Sequence, residues 1–206
     1  MESLADNKTP GLLLIVTGST ASGKDTVVKK LLQKYSDFSK ITTTTSRTPR
    51  IGEVDRQDYY FVDRSEFLQM QQDGKFLETV EYSGNYYGTT KAEINKVFNG
   101  QNMIWRIEPT MAARAQDYLR QIFDPASAEK LLKHLLIVFI TTPDKKTLIS
   151  RLAARGMKEE AIQVRFKQDA ENWHNLKGKF KHVIVNRDGA LEATIAQISQ
   201  LIAQFL

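Results

Sequence analysis

The chain has 206 residues, a formal net charge of +5, 41% apolar and 26% charged residues, and no cysteine. This length suits one domain with smaller sub-lobes, and the absence of cysteine excludes disulfides and thiolate metal sites and suits a reducing, cytoplasmic setting. The modest positive balance suits anionic ligands; because the arginines fall in discrete motifs and form no continuous stripe, small phosphates are expected over nucleic acid.

Residues 1–10 are polar and lack the apolar segment of a signal peptide, so they read as a frayed tail, and no later stretch is long enough to span a bilayer. The apolar run Leu12–Val16 then predicts a strand, and Val27, Val28, Leu31, Leu32 and Tyr35 predict a helix. Between them lie Gly18, Ser19, Thr20, Ala21, Ser22, Gly23, Lys24, Asp25 and Thr26. Strand, glycine-bounded loop, Gly-Lys and helix form the context of a phosphate-binding P-loop. The glycines let successive N–H groups turn toward an anion, the helix N-terminus adds partial positive charge and Lys24 a full one. The residue after the lysine is ordinarily Ser or Thr, whose hydroxyl reaches Mg²⁺; here it is Asp25, followed by Thr26.

Residues 41–62 read as short strands and turns. They contain Thr43, Arg47, Pro49, Arg50 and the cluster Tyr59-Tyr60-Phe61. Two arginines three residues apart around a proline suit bidentate capture of a phosphate, although a solvated basic loop would account for them equally well. Ser65 is the expected N-cap of a following helix. Phe76–Tyr82 alternates like a strand, and Gly84-Asn85 turns it toward Tyr86-Tyr87. Lys91–Phe98 is an expected helix, Met103–Trp105 a short buried strand and 110–122 a helix. Leu135–Ile140 reads as a central parallel strand. Helices are expected over 145–155 and 159–173, and Val183–Val185 as a third buried strand. The last helix carries Leu191, Ile195, Ile198, Ile202 and Phe205 on one face. Strands separated by helices predict a doubly wound α/β core. Trp105 and Trp173 are read as packing residues. His134, His174 and His182 show no metal spacing.

Several separate motifs, in order, resemble those of guanylate kinases from about residue 11 onward. They are Thr43–Glu53, matching Ser-x-Thr-Thr-Arg-x-Pro-Arg-x-Gly-Glu with hydroxyl swaps; Asp58-Tyr59-Tyr60-Phe61; Phe76-Leu77-Glu78; Gly84–Thr89; Arg151–Gly156 with Ile162–Arg165; and Val183–Asn186. The resemblance implies a P-loop NTPase fold: an α/β parallel sheet flanked by helices, with a small monophosphate-binding lobe and a helical lid. It divides residues 11–206 into a core (11–42, 91–150 and 169–206), a GMP-binding lobe (43–90) and a lid (151–168). It implies transfer of the γ-phosphoryl group of ATP, with Mg²⁺, to GMP or dGMP. On the donor side it implies ATP contacts from the P-loop residues Gly18 to Thr26 and from Asn186. Lys24, Arg151, Arg155 and Arg165 become catalytic cations, and Asp25 the candidate metal ligand. On the acceptor side it implies Arg47, Arg50, Tyr59 and Tyr87 on the phosphate. Thr43, Glu78, Gly88, Thr89 and Glu108 complete the GMP site, with Glu78 reading guanine.

Two departures stand out. Asp25 replaces the hydroxyl, and Arg106 replaces the first acid of the family's Asp-(Ile/Leu)-Asp near the third strand. The expectation is compensation: the acid has moved to position 25, and Arg106 pairs with it or touches a phosphate. Two other readings are a catalytically weak binding module and a related kinase with another phosphorylated acceptor. Retention of Lys24 and the lid arginines opposes the first; Glu78 and the Arg47/Arg50 pair oppose the second.

Overall fold

A computed structural model describes residues 9–82, 84–154, 156–176 and 178–206, without the side chains of 82, 165 and 168–175. The chain opens with β1 (Leu13–Gly18), α1 (Lys24–Lys34), β2 (Phe38–Lys40), β3 (Thr43–Thr45), β4 (Tyr59–Phe61) and α2 (Arg64–Gln72). It continues through β5 (Phe76–Tyr82), β6 (Asn85–Thr90), α3 (Lys91–Phe98), β7 (Asn102–Arg106), α4 (Pro109–Ala113) and α5 (Ala115–Ile122). The remainder is α6 (Pro125–Leu132), β8 (Leu135–Thr141), α7 (Lys145–Ala153), α8 (Glu159–Leu176), β9 (His182–Val185) and α9 (Leu191–Ile202).

Strand β1 is central because every residue in it is buried and its side chains serve two cores. Leu12, Leu14 and Val16 pack with Val27, Val28 and Leu31 of α1 and Ile195, Ile198 and Ile202 of α9. Leu13 and Ile15 face the other way, toward Ile94, Val97, Trp105 and Leu119. Each such side chain contributes about 1.5–3 kcal/mol on leaving water. Parallel pairing gives a five-stranded sheet in the order β2-β7-β1-β8-β9, covered by helices on both faces, as a near-continuous apolar strand requires. A separate four-stranded sheet, β4-β3-β6-β5, is built from residues 43–90. The P-loop and the C-terminal end of β7 meet at one end of the first sheet, where Val16 and Arg106 are in register.

The structure corrects several expectations. The N-cap of α2 is Asp63, whose carboxylate accepts from the Glu66 N–H at 2.8 Å; Ser65 lies inside the helix and donates to the same carboxylate at 2.6 Å. An ionised acceptor out-competes a hydroxyl for the cap. The expected helix over 110–122 breaks at Arg114 into α4 and α5. Helix α7 ends at Ala153, and position 155 lies outside the described residues. Strand β9 is an edge strand, so Val183 and Val185 are 45% and 38% exposed and only Ile184 is buried. Phe205 lies beyond the end of α9. Elements β2 and α6 had no clear sequence signal: β2 has only three residues, and α6 packs chiefly through Ala128 and Leu131. Trp105 is buried, whereas the side chain of Trp173 lies outside the described set. No described helix is long and apolar enough to cross a membrane.

Candidate active site

The P-loop is a turn that only particular residues can make. At Gly18, with φ of 146°, a Cβ would sit 1.9 Å from the Ile140 carbonyl oxygen, so any side chain there would push β1 and β8 apart. Lys24 folds back over the loop, its Nζ donating to the carbonyls of Gly18 at 2.9 Å and Ser19 at 2.7 Å. The hydroxyls of Ser19 and Ser22 are buried with no hydrogen-bond partner among the described residues, which makes them available donors to an anion. Thr26, in the first turn of α1, is exposed.

Asn186 and Arg151 hold this loop from behind. The Asn186 amide donates to the Ser22 carbonyl at 2.8 Å and its oxygen accepts from the Thr194 hydroxyl at 3.2 Å. Arg151, in the last turn of α7, donates to the carbonyls of Ala21 (3.2 Å) and Asn186 (2.9 Å) and to Asp188 (2.7 Å). Asn186 is thus a buried brace of the P-loop. Position 155 and the side chain of Arg165 lie outside the described residues.

Asp25 and Arg106 meet at the mouth of the loop. Arg106 Nε lies 2.5 Å from one Asp25 carboxylate oxygen, and its Nη2 donates to the other at 3.3 Å. The Asp25 side chain remains 70% exposed.

The second sheet carries the other cluster. Arg47 donates through Nη1 to the Thr48 carbonyl at 2.7 Å and through Nη2 alone to both oxygens of Glu53, at 2.8 and 2.9 Å. Its guanidinium lies 5.5 Å from the Tyr59 ring centroid, and Tyr59 meets Tyr87 edge-on at 6.1 Å. Hydrogen bonding to Glu53, and secondarily to Tyr87, holds the Arg47 pKa above its ordinary value against the opposing effect of burial. Glu53 also accepts from the backbone N–H of Arg50, whose side chain is exposed. One carboxylate therefore shapes the whole 47–53 turn.

Glu78, on β5, accepts from the Thr89 N–H at 3.0 Å. Burial, with the nearby Glu108 carboxylate adding to it, pushes the Glu78 carboxyl up to about 7, against the Thr89 hydrogen bonds. Glu108 is exposed and caps α4 through the Met111 N–H at 2.9 Å, with Thr110 donating to the same oxygen. Gly88 is there for close approach: a Cβ would stand 2.8 Å from the Phe76 ring and 2.9 Å from the Glu78 carbonyl oxygen. The Thr89 hydroxyl accepts from the Trp105 indole at 3.1 Å, tying this strand to the main sheet. Thr43 opens β3, in register with Tyr59.

The guanylate kinase family profile matches residues 11–205 of this chain. The chain belongs to the guanylate kinase family. A guanylate kinase from Nostoc sp. is 36% identical over 191 residues, covering 91% of this chain and 89% of that protein. One from Clostridium perfringens is 34% identical over 183 residues, covering 88% and 77%. The crystal structure of guanylate kinase from Anaplasma phagocytophilum superposes with a TM-score of 0.64 at 26% identity, covering 96% of this chain and 87% of that one.

Within the fold of this family, the sequence motifs fall into two groups. Gly18 to Thr26, Arg106, Arg151 and Asn186 gather at the P-loop. Thr43, Arg47, Arg50, Tyr59, Glu78, Tyr87, Gly88 and Thr89 lie on the second sheet or the turn it carries, and Glu108 approaches Glu78 from the end of β7. Sequence reading missed Asp188, Thr194 and Glu93, and quoted Glu53 without a role. Only Glu53 had a usable signal, an acid closing a turn that contains two arginines.

Proposed function

We propose that this protein transfers the γ-phosphoryl group of ATP to GMP, giving ADP and GDP. The observation that carries the reading is the half-buried Glu78 carboxylate, near Glu108 and on the same small sheet that carries the Arg47–Tyr59–Tyr87 cluster. Guanine presents N1–H and its exocyclic amine as adjacent donors, and one ionised carboxylate accepts both. Adenine lacks that pair and would leave the half-buried acid unsatisfied. Arg47, with Arg50, Tyr59 and Tyr87, would hold the acceptor phosphate. Glu53 pre-sets the Arg47 guanidinium, so less freedom is lost on binding.

On the donor side, the loop N–H groups, the Ser19 and Ser22 hydroxyls and Lys24 would receive the ATP phosphates, Lys24 leaving its carbonyl partners to do so. Phosphoryl transfer asks mainly for positioning and electrostatic stabilisation, because the acceptor phosphate is already a nucleophile. Arg151 reaches the P-loop from α7, and with Arg155 and Arg165 would belong to a lid over 151–168 that excludes water. The four-stranded sheet built from residues 43–90 supports assigning that segment to a GMP-binding lobe set on the five-stranded core.

Mg²⁺ is the metal this reaction implies, and Asp25 fits it: an exposed carboxylate in the first turn of α1 is the hard oxygen donor Mg²⁺ takes alongside substrate phosphates. When bound, the ion would neutralise charge on the β- and γ-phosphate oxygens. Arg106 shares that carboxylate and keeps its charge balanced. A chain without cysteine and a substrate pair of ATP and GMP support a cytoplasmic site of action.

The test is ADP release with ATP–Mg²⁺ against GMP, dGMP, AMP, CMP and UMP. Turnover confined to guanine nucleotides is expected. Equal turnover with AMP, or tight GMP binding with no turnover, would overturn the reading.

A further inference from the structure

Both chain crossings between the two sheets pass a single buried carboxylate that the chemistry above does not use. The chain leaves the five-stranded sheet through Ile41 and Thr42 and returns from the smaller sheet through Thr90 into α3. Glu93, in the first turn of α3, is 2% exposed. One of its oxygens accepts from the Thr42 N–H at 3.0 Å; the other accepts from the Tyr60 hydroxyl at 2.9 Å and lies 2.5 Å from Lys96 Nζ. Its own N–H donates to the Thr90 hydroxyl oxygen at 3.4 Å. Ile94 and Val97 seat the same helix in the main core. A buried carboxylate is costly unless its lone pairs are filled. Here donors from the first crossing, from β4 and from α3 fill them together, so moving any one of these elements would strip a partner from a buried charge.

The strand that Glu93 grips leads to the acceptor cluster. Side chains alternate along β4. Tyr60 turns toward Glu93, while Tyr59 and Phe61 face the other side, where the Arg47 guanidinium lies 5.5 and 5.8 Å from their ring centroids. We propose that Glu93 is a positioning residue for the acceptor nucleotide: it latches β4 and the first crossing to α3, and so sets where the Arg47–Tyr59–Tyr87 cluster stands relative to the P-loop. This rests on the reading of that cluster as the GMP phosphate site.

The test is steady-state kinetics on the full chain, varying GMP and ATP separately, with thermal midpoints recorded in parallel. Glu93→Ala is expected to raise KM for GMP about tenfold and to leave KM for ATP within about twofold. Glu93→Gln keeps an oxygen for the Thr42 N–H and its amide can donate to the Tyr60 oxygen, but that amide also faces Lys96 Nζ, so a partial recovery of KM for GMP is expected. Tyr60→Phe removes one hydroxyl from the lobe side and little volume; about a threefold rise in KM for GMP alone is expected. An equal rise in both KM values would overturn the latch, as would an unchanged KM for GMP in Tyr60→Phe, even if the midpoint falls. A parent protein without GMP turnover would overturn the acceptor-site reading, and the latch with it, before any variant was compared.

Discussion

Arg106 closes on Asp25 across the mouth of the P-loop, with Nε 2.5 Å from one carboxylate oxygen, and joins the last residue of β7 to the first turn of α1. The family's usual arrangement has a hydroxyl on the helix and an acid on the strand; this chain has an acid on the helix and a cation on the strand. The pair is exposed enough that its contribution to folding is small. Its consequence lies in the charge presented to bound phosphates. Asp25→Ser and Arg106→Asp are each expected to lower kcat/KM at least about tenfold. The double variant is expected to recover roughly tenfold over the additive expectation in a double-mutant cycle. Additive losses would show that the two positions act independently.

Glu78 makes GMP binding depend on pH near neutrality. Its carboxyl, raised to about 7 chiefly by burial, is protonated below that value and then cannot accept both guanine donors. KM for GMP should therefore fall as pH rises from 6 to 8, while KM for ATP stays flat; a flat GMP profile would refute this. The stability effect has the opposite sign. A carboxyl raised on folding contributes fully below its unfolded value and loses that contribution as pH rises through about 7. Glu78→Gln should thus stabilise the ligand-free protein above pH 7, by about 3 kcal/mol at most, and raise KM for GMP about a hundredfold. Thermal melts at pH 5 and 8 separate the two effects.

Glu53 orients Arg47 without being able to touch an anion itself. Glu53→Gln should raise KM for GMP about fivefold by weakening the hold on Arg47 Nη2, and Arg47→Lys about fiftyfold, because an ammonium lacks the planar pair of nitrogens a phosphate engages. Isothermal titration with GMP alone checks both. Equal affinity in Glu53→Gln and the parent would show that Glu53 does not orient Arg47 for the ligand.

Asn186 should affect the donor and not the acceptor. Replacing it with Ala leaves the Ser22 carbonyl and the Thr194 hydroxyl without their buried partners, a cost of about 1–3 kcal/mol. The expected result is a lower melting temperature and a KM for ATP raised about tenfold, with KM for GMP unchanged. A shift confined to GMP would contradict the assignment.

The main sheet was legible because its strands are apolar runs buried on both sides, and the P-loop because its glycines and lysine sit between a strand and a helix. What escaped was set by contacts between distant residues. Nothing around Glu93 announces that Tyr60 and Thr42 will converge on it, since they lie 33 and 51 residues away. Asn186 was read from family position as a nucleotide contact, and only the folded chain reveals that its amide also holds Ser22 and Thr194. Strand β9 looked buried because it is apolar, but its place at the sheet edge leaves alternate valines in water. The pairing of Arg106 with Asp25 was foreseeable from two departures that cancel in charge.

Ala21 is the one P-loop residue that holds left-handed backbone without being glycine, at φ of 54°. Its methyl group belongs to a small third cluster with Leu148, Leu152 and Ile162, apart from the two large cores. The anion turn is therefore tied to α7 and α8 by apolar contact as well as to the main sheet, where the Ser19 N–H donates to the Ile140 carbonyl at 3.1 Å. A patch of so few apolar groups can open at little cost while both cores remain shut. Anything that displaces α7 and α8 would thus uncover Ala21 and be felt in the turn that holds the phosphates.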